Sequence, residues 1–163
     1  DVERSRGLGD VYKRQAQECL GGAGYVEESL LPRLYRQAPL NSIWEGSGNV
    51  QCLDVLRALS REPETRDALF AELMGARGMD PDLDRELAGL AHAFDAAATL
   101  ETRSRHVVER VALALQAACL LRMNPPNATA FIRSRIARAH GLALGTLPAE
   151  WVSVQAIEAS FAV

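Results

Sequence analysis

Residues 43–49 of this 163-residue chain read IWEGSGN, which places a carboxylate, Glu45, between Trp44 and a Gly-Ser-Gly sequence. An indole beside a carboxylate partly removes it from water, and this desolvation makes the carboxylate a stronger base. The glycines on either side of Ser47 would leave such a base on a flexible loop. Proton abstraction by Glu45 is therefore one interpretation of these residues. The alternative is that Glu45 only supplies a favourable negative charge at the start of the helix that follows.

The glycine-rich sequence LGGAGY at residues 20–25 is a second candidate site. Gly21, Gly22 and Gly24 permit a tight turn and a close approach of the backbone to another group, for which a phosphate is one candidate. The sequence matches neither the GxGxxG dinucleotide fingerprint nor the phosphate loop. On these residues alone, the glycines either bind a ligand or simply end a helix.

Charge is unevenly distributed along the chain. Residues 61–100 contain nine acidic residues and four arginines, whereas residues 101–140 contain seven arginines and two glutamates. Arg135 and Arg138 are predicted to share one helix face, and Arg57 lies off the apolar face of another helix. Such arginines could bind the phosphates of duplex DNA without reading its sequence. The alternative is that these arginines pair with the acidic residues of the 61–100 stretch.

The elements that would position these residues are predicted to be helices. The chain is 48% hydrophobic but only 6% aromatic, and Ala and Leu supply most of its apolar residues, which favours helices over strands. Apolar residues recur at helical spacing, and no stretch alternates for long enough to form a strand. Asp80 is a plausible N-cap, with Pro81 at the first helical position. The sequence predicts an all-α fold with helices over 48–60, 63–76, 107–119, 128–144 and 148–161, and one from 81 that either runs past Leu100 or breaks near Thr99–Ser104.

Composition excludes several classes of function. A formal net charge of −3 excludes a globally basic nucleic-acid-binding protein. Cys19, Cys52 and Cys119 have neither the spacing of a disulfide framework nor that of a zinc site, so we expect no metal and a cytoplasmic location. The three histidines also lack ligand spacing. No apolar run reaches the ~18 residues that a membrane span requires, so we expect no membrane partner.

Three motifs together carry a family resemblance. LGGAGY (20–25), PRLYR (32–36) and IWEGSGN (43–49), in that order and spacing, resemble the C-terminal helical domain of the flavin-dependent acyl-CoA dehydrogenases. LPRLYR, NSIWEGSGN and CLDVLRAL are similar to the adaptive-response branch of that family, the AidB branch, which is linked to DNA alkylation damage. The resemblance is strong over residues 16–59 and looser from there to Val163. It implies the C-terminal helical bundle of the acyl-CoA dehydrogenase fold, followed by a helical extension.

The resemblance implies roles for individual residues near these motifs. Glu45 matches the catalytic glutamate of the family, which removes the α-proton of an acyl-CoA thioester while the β-hydride passes to the flavin. Gly21 and Gly22 match the loop whose backbone approaches FAD. Ser47 and Asn49 match positions whose hydroxyl and amide side chains contact the same cofactor.

Two arginines also match residues of the family, and two other positions depart from it. Arg36 matches a structural arginine of the motif, and Arg57 matches an arginine of the AidB branch. Glu18 stands where many members have a glutamine, which puts one cofactor contact in question. Trp44 replaces the tyrosine that is common before the base, which indicates a differently shaped acyl pocket.

The resemblance also implies the domain organisation. The resemblance implies that residues 16–60 are the dehydrogenase segment with the flavin and catalytic loop, and that residues 61–163 are an AidB-like helical extension. Residues 1–15 carry no helical or strand period and give way abruptly to a periodic Ala/Leu-rich chain, so we expect them to be a non-native leader. We expect the N-terminal helical domain and the β-domain that hold the flavin ring in the family to be missing from this sequence. The chain by itself is therefore expected to be inactive.

The expected partners follow from the same resemblance. They are further copies of the chain in a homo-oligomer (a tetramer by resemblance), an acyl-CoA or related small molecule, and duplex DNA contacted by Arg57, Arg135 and Arg138. The alternative is a duplex DNA-binding or oligomerisation module without catalytic turnover.

Overall fold

The computed structural model describes residues 15–44, 46–95, 99–123 and 127–138, together with residues 148 and 150. Every regular element within these ranges is helical, so the all-α prediction is confirmed. Three predictions fall wholly or largely outside the described residues: the leader at 1–15, the base Glu45, and the last helix at 148–161.

The chain divides into two compact units, Asp1–Gln51 and Cys52–Val163. In the described part of the first unit, residues 15–19 are helical and end at the glycine turn. They are followed by helix α1, Gly22–Tyr25, helix α2, Leu31–Gln37, and a 3-10 helix, Ala38–Ser42. Helix α1 packs against α2. Pro32 fits the start of α2 because the first helical turn needs no backbone N–H there.

Helix α3, Gly48–Arg61, begins in the first unit and ends in the second. The second unit continues with α4, Pro63–Met74, α5, Pro81–Asp95, and α6, Ser104–Met123. Helix α7, Ala128–Phe131, leads directly into a π-helical turn, Ile132–Ile136. No described helix combines the length and the apolar character needed to cross a membrane.

The core of the second unit is the interface that α5 and α6 form with the π-helical turn. Both helices present a face of period 3.6 to this core. To the buried cluster α5 contributes leucines, whereas α6 contributes mostly alanines, which allow the two helices to approach closely. Phe70 of α4 and Phe94 of α5 add an edge-to-face pair with ring centroids 5.6 Å apart. The buried cluster consists of Leu73, Ala76, Leu83, Leu87, Leu90, Val111, Ala114, Ala117, Ala118 and Ile132.

The structure decides one predicted helix end and corrects another. Helix α5 ends at Asp95, and residues 100–103 form turns, so the predicted break near Thr99–Ser104 is the alternative that holds. The predicted helix over 128–144 changes to a π-helical turn at Ile132 and stops after Ile136. The hydroxyl of Ser134 donates to the carbonyls of Ala130 (2.7 Å) and Phe131 (3.1 Å), a type of bond that bends helices.

Candidate functional site

The loop that precedes α3 and the first turn of that helix carry three of the predicted site residues in the sequence. Gly46 has a φ of +112°, which favours glycine. The side-chain amide of Gln51 donates to the carbonyl of Gly46 at 2.8 Å and reaches that of Trp44 at 3.5 Å. The carbonyl of Ser47 accepts from the backbone N–H of Gln51 at 3.1 Å, which starts the helix. Gln51 therefore fixes the loop to the first turn of α3, a role that the sequence reasoning missed.

Ser47 and Asn49 are exposed, one just before α3 and the other in its first turn. Glu45 lies outside the described residues. The Trp44 side chain, expected to desolvate that carboxylate, is 63% exposed, and Ile43 is 58% exposed. An indole this exposed removes little water from a neighbouring group unless another surface covers it.

The glycine turn ends the helix that precedes it. Gly21 has a φ of +55°, and its backbone N–H donates to the carbonyl of Glu18 at 3.1 Å. A Cβ built on Gly21 or on Gly22 would meet nothing within 4 Å. The helix-ending interpretation is therefore confirmed. The backbone of these two glycines also faces open space, where a ligand could approach it.

Gly24 makes the close backbone approach that the glycine-rich motif predicted. A Cβ on this buried glycine would lie 2.5 Å from the carbonyl oxygen of Gln17. The side-chain amide of Gln17 also donates to the carbonyl of Gly24 at 3.3 Å. The closely approached group is therefore the preceding helix of the same unit, and Gly24 permits its packing against α1.

Arg36 forms a two-pronged ion pair with Glu27. Its guanidinium donates to the two carboxylate oxygens at 2.6 and 3.1 Å. These hydrogen bonds lower the pKa of Glu27 and raise that of Arg36. The pair joins α2 to the segment after α1, which agrees with the structural role that the motif implied for Arg36. Both side chains are exposed, so the pair contributes little stability.

Several arginines pair with acidic residues of the 61–100 stretch, as the alternative interpretation predicted. Nη2 of Arg133 lies 3.2 Å from Oδ2 of Asp80, and its Nη1 also contacts Asp82. Arg122 contacts Glu72, and Nε of Arg110 lies 2.5 Å from Oε1 of Glu86. These contacts join α6 or the π-helical turn to α4 and α5. The opposite charges of the two stretches therefore hold this unit together.

The three arginines predicted to contact DNA have different surroundings. Arg57 is exposed on α3 and pairs with Asp54 on the same helix. Arg135 and Arg138 line one cavity of the second unit together with His106 and Arg110. Arg138 lies beyond the π-helical turn with a φ of +52°, so the cavity rather than a common helix face brings it near Arg135.

Metal-ligating side chains do not converge in the part of the chain that the structure describes. No group of three or more His, Cys, Asp or Glu residues lies there in an arrangement that could hold an ion.

Comparison with known proteins defines the class of the segment that carries the glycine turn and the loop before α3. Residues 12–60 match the family described as acyl-CoA dehydrogenase, C-terminal domain. This segment is therefore acyl-CoA dehydrogenase-like, as its motifs predicted, and its all-helical structure agrees with that class.

Two relatives show which members of the family this chain resembles. The chain is 52% identical over 77 residues to AidB of Escherichia coli (strain K12), whose name assigns it to the acyl-CoA dehydrogenases. It is 56% identical over 43 residues to acyl-CoA dehydrogenase family member 11 of Caenorhabditis elegans. The first match covers 47% of this chain and 14% of the relative, and the second covers 26% and 7%. The predicted AidB-like resemblance is confirmed, over a small share of each relative's length.

Proposed function

We propose that residues 16–60 supply the catalytic base and part of the FAD site of an acyl-CoA dehydrogenase-like flavoprotein, and that residues 61–163 form its helical extension. The observation that carries this proposal is the family match over residues 12–60, because this segment contains every motif residue assigned to the base and the cofactor. In the proposed reaction, an acyl-CoA thioester is converted to its α,β-unsaturated form.

The described residues fit a flavin nucleotide in two respects. A Cβ built on Gly21 or Gly22 would meet nothing within 4 Å, so a ligand can approach the backbone at these two residues. Ser47 and Asn49 expose a hydroxyl and an amide at the start of α3. In the proposal these four residues hold FAD, which when bound supplies the acceptor for the hydride that leaves the β-carbon.

Glu45 acts as the base in this proposal. It removes the α-proton of the thioester, which the neighbouring carbonyl makes acidic, and it holds that proton on its carboxyl group. Helix α3 begins at Gly48, three residues later in the sequence, and the N-terminal end of a helix dipole favours a negative charge near it.

Several large apolar side chains of the first unit are exposed, which supports a working form of the protein in which another domain or chain covers them. Trp44 and Ile43 are 63% and 58% exposed, and Tyr25 is 81% exposed. Large apolar side chains concentrated on one surface typically mark an interaction site. We propose that other parts of the flavoprotein, or further copies in a homo-oligomer, cover them and exclude water from the loop. Further large apolar side chains exposed in the first unit include Leu20, Val26, Leu30, Leu40 and Val50.

The test begins with the complete coding region that contains this sequence. The purified flavoprotein should be yellow, with absorption near about 450 nm from the bound flavin. Glu45→Gln should abolish acyl-CoA turnover while the flavin stays bound. Glu28→Gln, which neutralises an exposed carboxylate of the same unit, should retain turnover. A colourless protein that FAD cannot reconstitute contradicts the cofactor proposal, and turnover by the Glu45→Gln protein removes Glu45 from the mechanism.

The arginines around the cavity of the second unit favour a second candidate function, the binding of duplex DNA. Arg135 makes no ion pair with any residue that the structure describes, and Arg138 is 3.9 Å from Glu109 in an exposed pair. With Arg57, they would link the protein to the DNA alkylation response. Affinity for a duplex should fall steeply with salt and weaken on Arg57→Ala. A flat salt response contradicts this function.

The same arginines could instead serve assembly alone. In that case, reversing the charge of Arg135 and Arg138 would split the oligomer and leave DNA binding unchanged. A cytoplasmic location is also part of the proposal, because none of the three cysteines, all of them in the described ranges, forms a disulfide.

A further inference from the structure

A cavity of about 130 Å³ lies in the second unit beside α5, α6 and the π-helical turn. Its lining is mostly basic. Glu86 lines it from α5, His106 and Arg110 from α6, and Arg135 and Arg138 from the π-helical turn and the residues just beyond it. These residues are far apart in sequence and meet only because the π-helical turn packs against both helices.

The acidic groups near the cavity neutralise only part of this charge. Glu86 is occupied by Arg110, whose Nε lies 2.5 Å away. Glu109 reaches Arg138 only at 3.9 Å, with both side chains about three-fifths exposed, so this pair holds the guanidinium weakly. Arg135 has no ionic partner among the described residues. Among the residues that the structure describes, positive charge therefore remains in excess at the cavity.

Arg135 is also half-buried, although its guanidinium lacks an anion to pair with among those residues. Removing a charged group from water is unfavourable unless hydrogen bonds and an opposite charge replace the lost hydration. Arginine presents several N–H donors in a fixed fork, which suits two oxygens of one phosphate. The ring nitrogens of His106 offer a further donor at the same cavity.

The size of the cavity limits what it can hold. Pockets for drug-sized ligands have volumes of roughly 300–1,000 Å³, and a water takes up about 30 Å³ of liquid. A cavity of about 130 Å³ holds only a few waters, a volume that matches one tetrahedral oxyanion. We propose that this cavity binds a single phosphate group between Arg135 and Arg138. The proposal deepens the proposed binding of duplex DNA, since it uses the same two arginines, and it is independent of flavin chemistry because none of the lining residues lies in residues 16–60.

The test measures binding of inorganic phosphate to the full chain by calorimetry, with chloride replacing phosphate at equal ionic strength. Phosphate should bind with saturation. Arg135→Gln should weaken it by about tenfold, as expected for losing one charge-assisted hydrogen bond. Arg135→Lys should recover only part of the loss, because a point charge replaces the fork. Arg77→Gln is the matched control, since Arg77 is exposed and does not line the cavity.

Three results would overturn the site: no saturable phosphate binding, the same loss in Arg77→Gln as in Arg135→Gln, or unchanged binding in both Arg135→Gln and Arg138→Gln. Circular dichroism shows whether each variant keeps its helices. If Arg135→Gln unfolds, Arg138→Gln decides the question, because Arg138 lies beyond the π-helical turn and is exposed.

A second experiment identifies the source of the phosphate. The same variants are titrated with a short duplex DNA at the same ionic strength. Loss of duplex binding in parallel with phosphate binding supports a site for a backbone phosphate. Loss of phosphate binding alone supports a site for a free phosphate or a small phosphorylated molecule.

Discussion

Nε of Arg110 donates to Oε1 of Glu86 at 2.5 Å, across the interface between α6 and α5 and over a sequence separation of 24 residues. Both side chains are about one-fifth exposed. Gly89, one turn after Glu86, makes room for this pair, because a Cβ there would lie 2.7 Å from Nη2 of Arg110. A glycine in the middle of a helix, which is unfavourable by itself, thus permits a half-buried ion pair.

This relationship predicts coupling between Gly89 and Arg110. Gly89→Ala should gain about 0.5–1 kcal/mol of helix propensity, but in the native protein the new methyl group shifts the flexible guanidinium of Arg110 and offsets part of that gain. In an Arg110→Ala background the gain should appear in full. The free energies of unfolding of the four proteins, measured in urea, should show a coupling of about 0.5 kcal/mol. Equal effects of Gly89→Ala in both backgrounds would contradict the proposed steric relationship.

Arg110→Ala alone should be clearly destabilising. It leaves the half-buried carboxylate of Glu86 without its partner, and an unsatisfied buried group costs about 1–3 kcal/mol. The control is Arg77→Ala, at an exposed position, which should change stability by less than about 0.5 kcal/mol. Chemical denaturation of both variants checks the difference, and equal stabilities would show that the pair is energetically neutral.

Asp80 both caps α5 and pairs with Arg133, and substitutions can separate the two roles. Its Oδ1 accepts from the backbone N–H groups of Asp82 (2.8 Å) and Leu83 (3.2 Å). Asp80→Asn keeps a capping oxygen and loses the charge, whereas Asp80→Ala loses both. Loss of the cap costs about 1 kcal/mol, so the alanine variant should be less stable than the asparagine variant by about that amount. Thermal denaturation checks the order, and equal midpoints would mean that the cap contributes nothing.

The pair of Glu72 on α4 and Arg122 on α6 predicts a pH dependence. Hydrogen bonding to Arg122 lowers the pKa of Glu72 below its ordinary value of 4.5. A group whose folded-state pKa is lowered stabilises the protein above its unfolded-state pKa and loses that contribution as pH falls through the folded value. The stability difference between the native protein and Glu72→Gln should therefore be constant above about pH 5 and shrink in more acidic solution.

The control for this pH dependence is Asp67→Asn, an exposed carboxylate of α4. Its stability difference from the native protein should stay near zero at each pH. If the Glu72→Gln difference persists unchanged into strong acid, the stabilisation does not come from the ionised carboxylate.

Alanine substitutions at Gly24 and Gly22 give a matched test of the packing at the glycine turn. At Gly24 an alanine methyl would meet the backbone carbonyl of Gln17 at 2.5 Å, and backbone cannot move aside as a flexible side chain does. Gly24→Ala should therefore destabilise the turn by about 1–3 kcal/mol. Gly22→Ala meets nothing within 4 Å and should leave folding unchanged. Limited proteolysis between residues 20 and 30 should show faster cleavage for the first variant alone.

The Gly22→Ala variant also bears on the flavin proposal. In the flavoprotein, a methyl group at this position would obstruct approach of the cofactor without harming the fold. Weaker FAD binding with unchanged stability supports the assigned role, and unchanged FAD affinity argues that the backbone of Gly22 does not contact the cofactor.

Much of the helical organisation could be predicted because its causes are local. Pro63 and Pro81 stand at the starts of α4 and α5, and Asp80 caps α5 through its own side chain. The start of α3 at Gly48 was also predicted. Each of these signals depends on residues within one turn of each other, where propensity and capping dominate.

The candidate sites could be predicted only in part. The motif at residues 43–49 pointed to the loop before α3, but neither Gln51, which holds that loop, nor Glu27, which pairs with Arg36, has a motif of its own. The choice between pairing and ligand binding for each arginine also depends on which acidic residue packs opposite it. Arg133 meets Asp80 over 53 residues, and no local pattern encodes that separation.

The sequence by itself determined that this chain is helical, where most of its helices start, and that residues 20–49 carry acyl-CoA dehydrogenase motifs. Apolar spacing, proline, glycine and capping residues act within a few positions, so they can be read directly. Tertiary structure alone decided that the last described helix turns π-helical at Ile132 and that Arg135 meets Arg138, Arg110 and His106 at one cavity. The physical reason is that packing against α5 and α6 outweighs the weak local preference for a longer helix, and packing joins residues that the sequence keeps far apart.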